Sequence, residues 1–74
     1  IYIYPNPSQG IFNIEINSSI ISLTLLNQLG EVIFIDDNLS DEYYSINLTR
    51  LPKGIYFINF KSDQYLITKK IIIE

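Results

Sequence analysis

The side chains that most often carry enzyme chemistry are missing from this chain, which contains neither histidine nor cysteine. The usual general bases, thiolate nucleophiles and transition-metal ligands are therefore absent. Serine and threonine hydroxyls remain, but a hydroxyl without a neighbouring base is a weak nucleophile. Two carboxylates could hydrolyse a glycosidic bond only if one were buried, and the acidic residues here fall in predicted turns or on polar strand faces. The sequence predicts no enzyme, no cofactor and no small-molecule substrate.

Oxygen ligands suited to calcium are concentrated in one acidic stretch, which carries Asp36, Asp37, Asn38, Asp41 and Glu42. Calcium binds such carboxylate and amide oxygens. The stretch nevertheless lacks the glycine and the ligand spacing of a calcium-binding loop. We interpret it as a solvated turn and predict no metal site.

Tyrosine is the other side chain that could form a binding site, because six tyrosines placed on one surface could stack against sugar rings. They are spread over four predicted strands, where aromatic residues mostly pack against the sheet, so carbohydrate binding remains a minor alternative. Tyr56 has a more specific interpretation. Leu51, a Pro-Lys-Gly turn and then Tyr56 resemble the tyrosine corner of Greek-key sandwiches, in which the ring is buried and the hydroxyl bonds a backbone group slightly upstream.

The overall composition describes one small β domain. The chain has 74 residues, of which 47% are hydrophobic, and a net charge of −3. That charge argues against nucleic acid as a partner, and no apolar stretch reaches the ~20 residues of a membrane-spanning helix. Because the chain begins at Ile1, without methionine and already in strand-like alternation, we expect a single domain, residues 1–74, that is either cut from a longer protein or given without its leader.

Period-two alternation predicts seven short strands with turns about every ten residues, which is typical of an all-β, immunoglobulin-like antiparallel sandwich. Core faces are predicted for residues 12, 14 and 16, for Ile21, Leu23 and Leu25, and for residues 44, 46 and 48. Turns are predicted at Pro5-Asn6-Pro7 with Gly10, at the loop Asn17-Ser18-Ser19, and at Gly30 between two strands of a hairpin. The most apolar strand follows the corner at Leu51 and Gly54. The pairing order of the strands is left open.

Four of these features, in this order, resemble a known family, the C-terminal sorting domains of the type IX (Por) secretion system of Bacteroidetes. They are Tyr4-Pro5-Asn6-Pro7 with Gly10; Asn27-Gln28-Leu29-Gly30 before an apolar strand; Leu51-Pro52-Lys53-Gly54-Ile55-Tyr56; and Lys69-Lys70-Ile71-Ile72-Ile73-Glu74. The resemblance spans the whole chain. The family often ends in a basic residue, whereas this chain ends in Glu74, although acidic ends also occur.

The resemblance implies a secretion signal without catalytic activity. Such a domain carries an N-terminal passenger through the periplasm to the type IX translocon, and a sortase then attaches the passenger to the cell surface or it is released to the medium. By analogy, sorting depends on Lys69, Lys70, Ile71, Ile72, Ile73 and Glu74, whereas Pro5, Asn6, Pro7, Gly10, Gly30, Leu51, Gly54 and Tyr56 maintain the fold. We further expect the terminal strand to dock through its free edge. The alternative is an immunoglobulin- or fibronectin-like binding or spacer module of an extracellular enzyme.

Overall fold

The computed structural model describes residues 1–17 and 19–74, so the predicted loop residue Ser18 lies outside the described residues. These residues form seven strands and no helix, and therefore no helix long and apolar enough to cross a membrane. The strands are β1 (Tyr2–Tyr4), β2 (Ile11–Glu15), β3 (Ser22–Leu26), β4 (Val32–Asp36), β5 (Tyr43–Asn47), β6 (Gly54–Lys61) and β7 (Leu66–Ile73). The predicted all-β class and number of strands are confirmed.

The strands pair into two antiparallel sheets that face each other. One sheet has the order β1-β2-β5 and the other the order β4-β3-β6-β7. The chain therefore changes sheet between β2 and β3, between β4 and β5, and between β5 and β6, as in an immunoglobulin-like sandwich. The predicted β3–β4 hairpin is present, with Gly30 at a φ of 80° in its turn.

The core lies between the sheets because apolar residues alternate along their strands. Phe12 and Ile14 of β2 face Leu23 and Leu25 of β3, and all four are almost completely buried. The other buried apolar side chains are Ile16, Ile20, Leu48, Tyr56, Ile58, Phe60, Ile71 and Ile73. Each buried apolar side chain contributes on the order of 2 kcal/mol to folding through removal of apolar surface from water.

One predicted core position is wrong. The alternation placed Ile21 on the same face as Leu23 and Leu25, yet Ile21 is 44% exposed and Ile20 is buried instead. The reason is that β3 begins only at Ser22, so strand alternation does not extend back to Ile21. The Ile21 amide bonds the Lys61 carbonyl at 2.8 Å while the chain crosses between the sheets, which turns the Ile20 side chain inward.

The two ends of the described chain lie at opposite ends of the sandwich. Tyr2 pairs with Glu15 near the loop that follows β2, which places residue 1 at that end. Ile73 pairs with Gly54, beside the corner that precedes β6. Because β1 and β7 run in the same direction, the residues after β1 and those that end β7 meet at the second end.

Candidate functional site

The terminal segment, defined as residues 69–74, comprises the last five residues of edge strand β7 and Glu74, which follows it. Its side chains alternate between the two faces of the sheet. Ile71 and Ile73 point into the core and are 0% and 4% exposed, whereas Ile72 is half-buried on the outer face. The side chains of Lys69, Lys70 and Glu74 are exposed. The segment therefore offers three ionic side chains and one partly covered isoleucine to a partner.

The outer edge of this segment is bonded by a side chain that acts in place of a strand. Asn6 lies beside β7, where its Nδ2 donates a hydrogen bond to the Lys70 carbonyl at 2.9 Å and its Oδ1 accepts one from the Ile72 amide at 3.0 Å. A side-chain amide carries the same donor and acceptor as a peptide unit, so Asn6 can satisfy backbone groups as a neighbouring strand would. The prolines on either side remove competing backbone donors at positions 5 and 7.

Ser8 continues this pairing with its own backbone. The Ser8 amide donates to the Ile72 carbonyl at 3.0 Å, and the Ser8 carbonyl accepts from the Glu74 amide at 2.8 Å, forming an isolated parallel bridge. Its hydroxyl donates to the Ile11 carbonyl at 2.6 Å and accepts from the Gly10 amide at 3.2 Å. These bonds fix the proline turn (residues 5–8) against β7.

The proline turn therefore closes the edge that was expected to be free. Successive residues of a strand direct their amide and carbonyl groups to opposite sides, and the outward groups of Ile72 are both bonded. The prediction of a free edge is therefore wrong for the end of β7, and docking by strand addition stays a prediction. The same alternation leaves Leu66 and Thr68, near the start of β7, with outward-directed backbone groups.

Gly10 joins the proline turn to the connection between β5 and β6. Its carbonyl accepts a hydrogen bond from the Leu48 amide at 2.7 Å, and a side chain at this position would meet the backbone of Thr49 at 2.9 Å. Its φ of 128° is also one that other residues rarely adopt. Glycine is therefore required here by space as well as by conformation.

The Leu51 corner, defined as residues 51–56, lies along the inner edge of the terminal segment. The Tyr56 hydroxyl donates a hydrogen bond to the Pro52 carbonyl at 2.6 Å, and the Tyr56 side chain is buried, as a tyrosine corner predicts. The Leu51 amide bonds the Leu48 carbonyl at 3.0 Å. Because Tyr56 pairs with Ile71 and Gly54 with Ile73, this corner fixes the inner edge of the terminal segment.

The remaining motif residue, Gly30, lies at the same end of the molecule, where its amide donates a hydrogen bond to the Asn27 carbonyl at 3.1 Å within the hairpin turn. Its hairpin approaches the corner through Gln28, whose side-chain nitrogen would lie 3.8 Å from a Cβ atom added at Gly54. The predicted motif residues thus gather at one end of the sandwich. The hydrogen bonds from Asn6 and Ser8 to β7 were not predicted from the sequence. An asparagine between two prolines was the only signal, and it does not identify a partner more than sixty positions away.

The proline turn and the terminal segment border an open groove. The groove, of about 520 Å³, lies between Pro5, Pro7, Gln9, Thr49 and Glu74, and Glu74 is the only ionisable side chain among the described residues that line it. In the described chain no group of three or more acidic residues is placed to hold a metal ion. Part of the acidic stretch is instead ordered by Tyr44, whose hydroxyl accepts hydrogen bonds from the amides of Ser40 and Asp41.

Comparison with known proteins identifies one similar family. The family model described as "Secretion system C-terminal sorting domain" matches residues 2–74 of the chain. No curated protein matches the chain. The match includes the proline turn, the Leu51 corner and the terminal segment.

Proposed function

Because the chain belongs to the family of secretion system C-terminal sorting domains, of the type IX (Por) class, we propose that it directs a passenger joined to its N-terminus through the outer-membrane translocon. Family membership implies a secretion signal and export to the outer-membrane surface or the extracellular space. The proposal adds transit through the periplasm, binding of the folded domain to the translocon, and action of the sortase on the exported chain. It assigns no catalytic role to the domain, residues 1–74.

One structural observation supports this proposal most strongly. The terminal segment and the proline turn meet at the end of the sandwich opposite residue 1. A passenger attached before residue 1 would lie at the far end of a molecule about 32 Å long and would leave the terminal segment accessible. This arrangement suits a domain that must be read while it is linked to cargo.

Not all six side chains of the terminal segment are available for recognition. We assign direct contact to Lys69, Lys70 and Glu74 and to the outer surface of Ile72, because these are exposed or half-buried. Ile71 and Ile73 are buried and act by holding the strand in the core. Their substitution would impair sorting through loss of the fold, since truncation of a buried isoleucine costs about 2–5 kcal/mol.

The test is the export of a reporter protein fused ahead of the domain in a bacterium that has the type IX system. We expect the reporter at the surface or in the medium, and in the periplasm when the translocon is deleted. Lys69→Ala combined with Lys70→Ala should retain the reporter in the periplasm. The matched control is Lys53→Ala combined with Lys61→Ala, which removes the same charge from two other exposed lysines.

Two results would contradict the proposal. Export that is independent of the translocon would refute the sorting function itself. Equal export of the two lysine variants, with equal thermal stability, would refute only the role assigned to the terminal segment.

A further inference from the structure

The six tyrosines divide into two groups according to what their hydroxyls do. Those of Tyr44, Tyr56 and Tyr65 each form a hydrogen bond within the chain. None of the hydrogen bonds that the structure describes involves the hydroxyls of the second group, Tyr2, Tyr4 and Tyr43, which are 71%, 45% and 67% exposed. Three large aromatic rings are thus presented to solvent without a structural bond to explain them.

The second group lies on one surface, the outer face of the β1-β2-β5 sheet. Tyr2 pairs with Glu15, and Glu15 pairs with Tyr43, so the two rings flank one carboxylate in a single row across three strands. Adjacent strands are about 4.8 Å apart, which places Tyr2 and Tyr43 on the order of 10 Å from each other. Alternate pyranose rings of a β-1,4-linked chain are a similar distance apart.

A second row supplies polar groups beside these rings. Tyr4 pairs with Asn13, and Asn13 pairs with Ser45. These residues, together with Tyr43, line an open depression of about 350 Å³. None of the described hydrogen bonds uses the side chain of Asn13, Glu15 or Ser45. The surface therefore combines unused donors and acceptors with exposed aromatic faces.

We propose that this tyrosine face, defined as Tyr2, Tyr4, Asn13, Glu15, Tyr43 and Ser45, binds a glycan. Sugar rings present apolar C–H faces that stack on tyrosine and a rim of hydroxyls that bond amides, carboxylates and serine. No lysine or arginine lies in the strands of this sheet, so the face does not suit a phosphate-rich nucleic acid. It also lacks the deep, well-packed pocket that anchors most protein partners.

The tyrosine face is separate from the terminal segment, which belongs to the other sheet. Glycan binding therefore neither requires nor replaces the sorting function. It would allow the domain to hold a surface polysaccharide while its terminal segment is read or after the passenger has been exported.

The test is titration of the 74-residue chain with β-1,4-linked hexaoses of glucose, xylose, mannose and N-acetylglucosamine. Calorimetry measures the affinity, and the chemical shifts of the backbone amides show by NMR where each hexaose binds. We expect at least one hexaose to bind and to shift amides of β1, β2 and β5. Tyr2→Ala and Tyr43→Ala should each weaken binding by about tenfold, because each removes a stacking ring. The control Leu29→Ala changes an 84% exposed side chain in the β3–β4 turn and should leave affinity unchanged.

Other results would overturn the glycan site. Absence of binding to all four hexaoses would do so, as would binding that Tyr2→Ala and Tyr43→Ala leave unchanged. Self-association that these substitutions abolish, without hexaose binding, would assign the face to protein contact instead. Export of the reporter by the Tyr2→Ala, Tyr43→Ala double variant measures sorting alone, so that a failure of the glycan proposal can be told from a failure of the sorting proposal.

Discussion

Asn6 is bonded to Ile72 across the edge of the sheet, its side-chain oxygen accepting the Ile72 amide at 3.0 Å while its side-chain nitrogen donates to the carbonyl of Lys70. One side chain thus takes the place of a peptide unit in a neighbouring strand. The last residues of β7 are consequently paired on both sides, with β6 on one and the proline turn on the other.

Replacement of Asn6 by alanine should therefore loosen the end of β7. Two hydrogen bonds are lost, and we expect the free energy of unfolding to fall by about 1–2 kcal/mol. Hydrogen exchange should accelerate at the Ile72 amide more than at amides in the middle of β6. The control is Asn38→Ala, since the Asn38 side chain takes no part in the described bonds. Unchanged exchange at Ile72 would contradict the role assigned to Asn6.

Removal of the Tyr56 hydroxyl should destabilise the Leu51 corner. Tyr56→Phe keeps the buried ring but leaves the Pro52 carbonyl without its 2.6 Å bond, so the free energy of unfolding should fall by about 1 kcal/mol. Urea denaturation measures this change. Tyr43→Phe, at an exposed ring without a described bond, should have no measurable effect. Equal stability of the two variants would refute the tyrosine corner.

The two glycines with the clearest turn roles should respond differently to alanine. Gly30→Ala adds a methyl group into open space, so only its φ of 80° is strained and the cost should be about 1 kcal/mol. Gly10→Ala combines a strained φ with contact to the Thr49 backbone at 2.9 Å and should cost more than about 2 kcal/mol. Urea midpoints of the two variants provide the comparison. A smaller loss at Gly10 than at Gly30 would show that the turn can move away from Thr49.

Tyr65 should ionise more readily than a free tyrosine. The hydrogen bond with the Ser19 hydroxyl at 2.8 Å, followed by the effect of Asn17, lowers the pKa of Tyr65 below its usual value of about 10. A lowered pKa means that ionisation of Tyr65 favours the folded state, so its contribution to stability is present above pH 10 and is lost as the pH falls through the folded-state pKa. NMR titration of the Tyr65 ring should show this shift.

The matched variants for that titration are two serine substitutions. Ser19→Ala should return the pKa of Tyr65 towards its usual value, because it removes the largest cause of the shift. Ser40→Ala, in the loop before β5, should leave the Tyr65 titration unchanged. An unaltered titration in Ser19→Ala would show that the hydroxyl does not stabilise the phenolate.

Local patterns in the sequence predicted the strands and most of their inward faces. Phe12, Ile14, Leu23 and Leu25 are buried as predicted because the side-chain period of a strand is two, wherever that strand pairs. The same rule was wrong at Ile21, where the chain had not yet entered β3. The Tyr56 bond was also predictable, since its donor and acceptor are only four residues apart.

Contacts between distant parts of the chain were not predictable in this way. That Tyr2 and Tyr43 share one row depends on both β1 and β5 pairing with β2, and no local pattern specifies that order. The hydrogen bonds from Asn6 to β7 likewise depend on how distant strands are placed in the fold. Both depend on tertiary packing of the whole sandwich, which a single sequence read by period and turn chemistry does not determine.

The bridge between Ser8 and Ile73 links the order of the terminal segment to that of the proline turn. Residues near the start of the described chain and residues near its end complete each other's hydrogen bonds. A chain that is truncated before either segment, or that has not yet folded, cannot form these bonds. If the translocon, as proposed above, recognises the terminal segment in this paired form, it would bind folded chains in preference to unfolded ones.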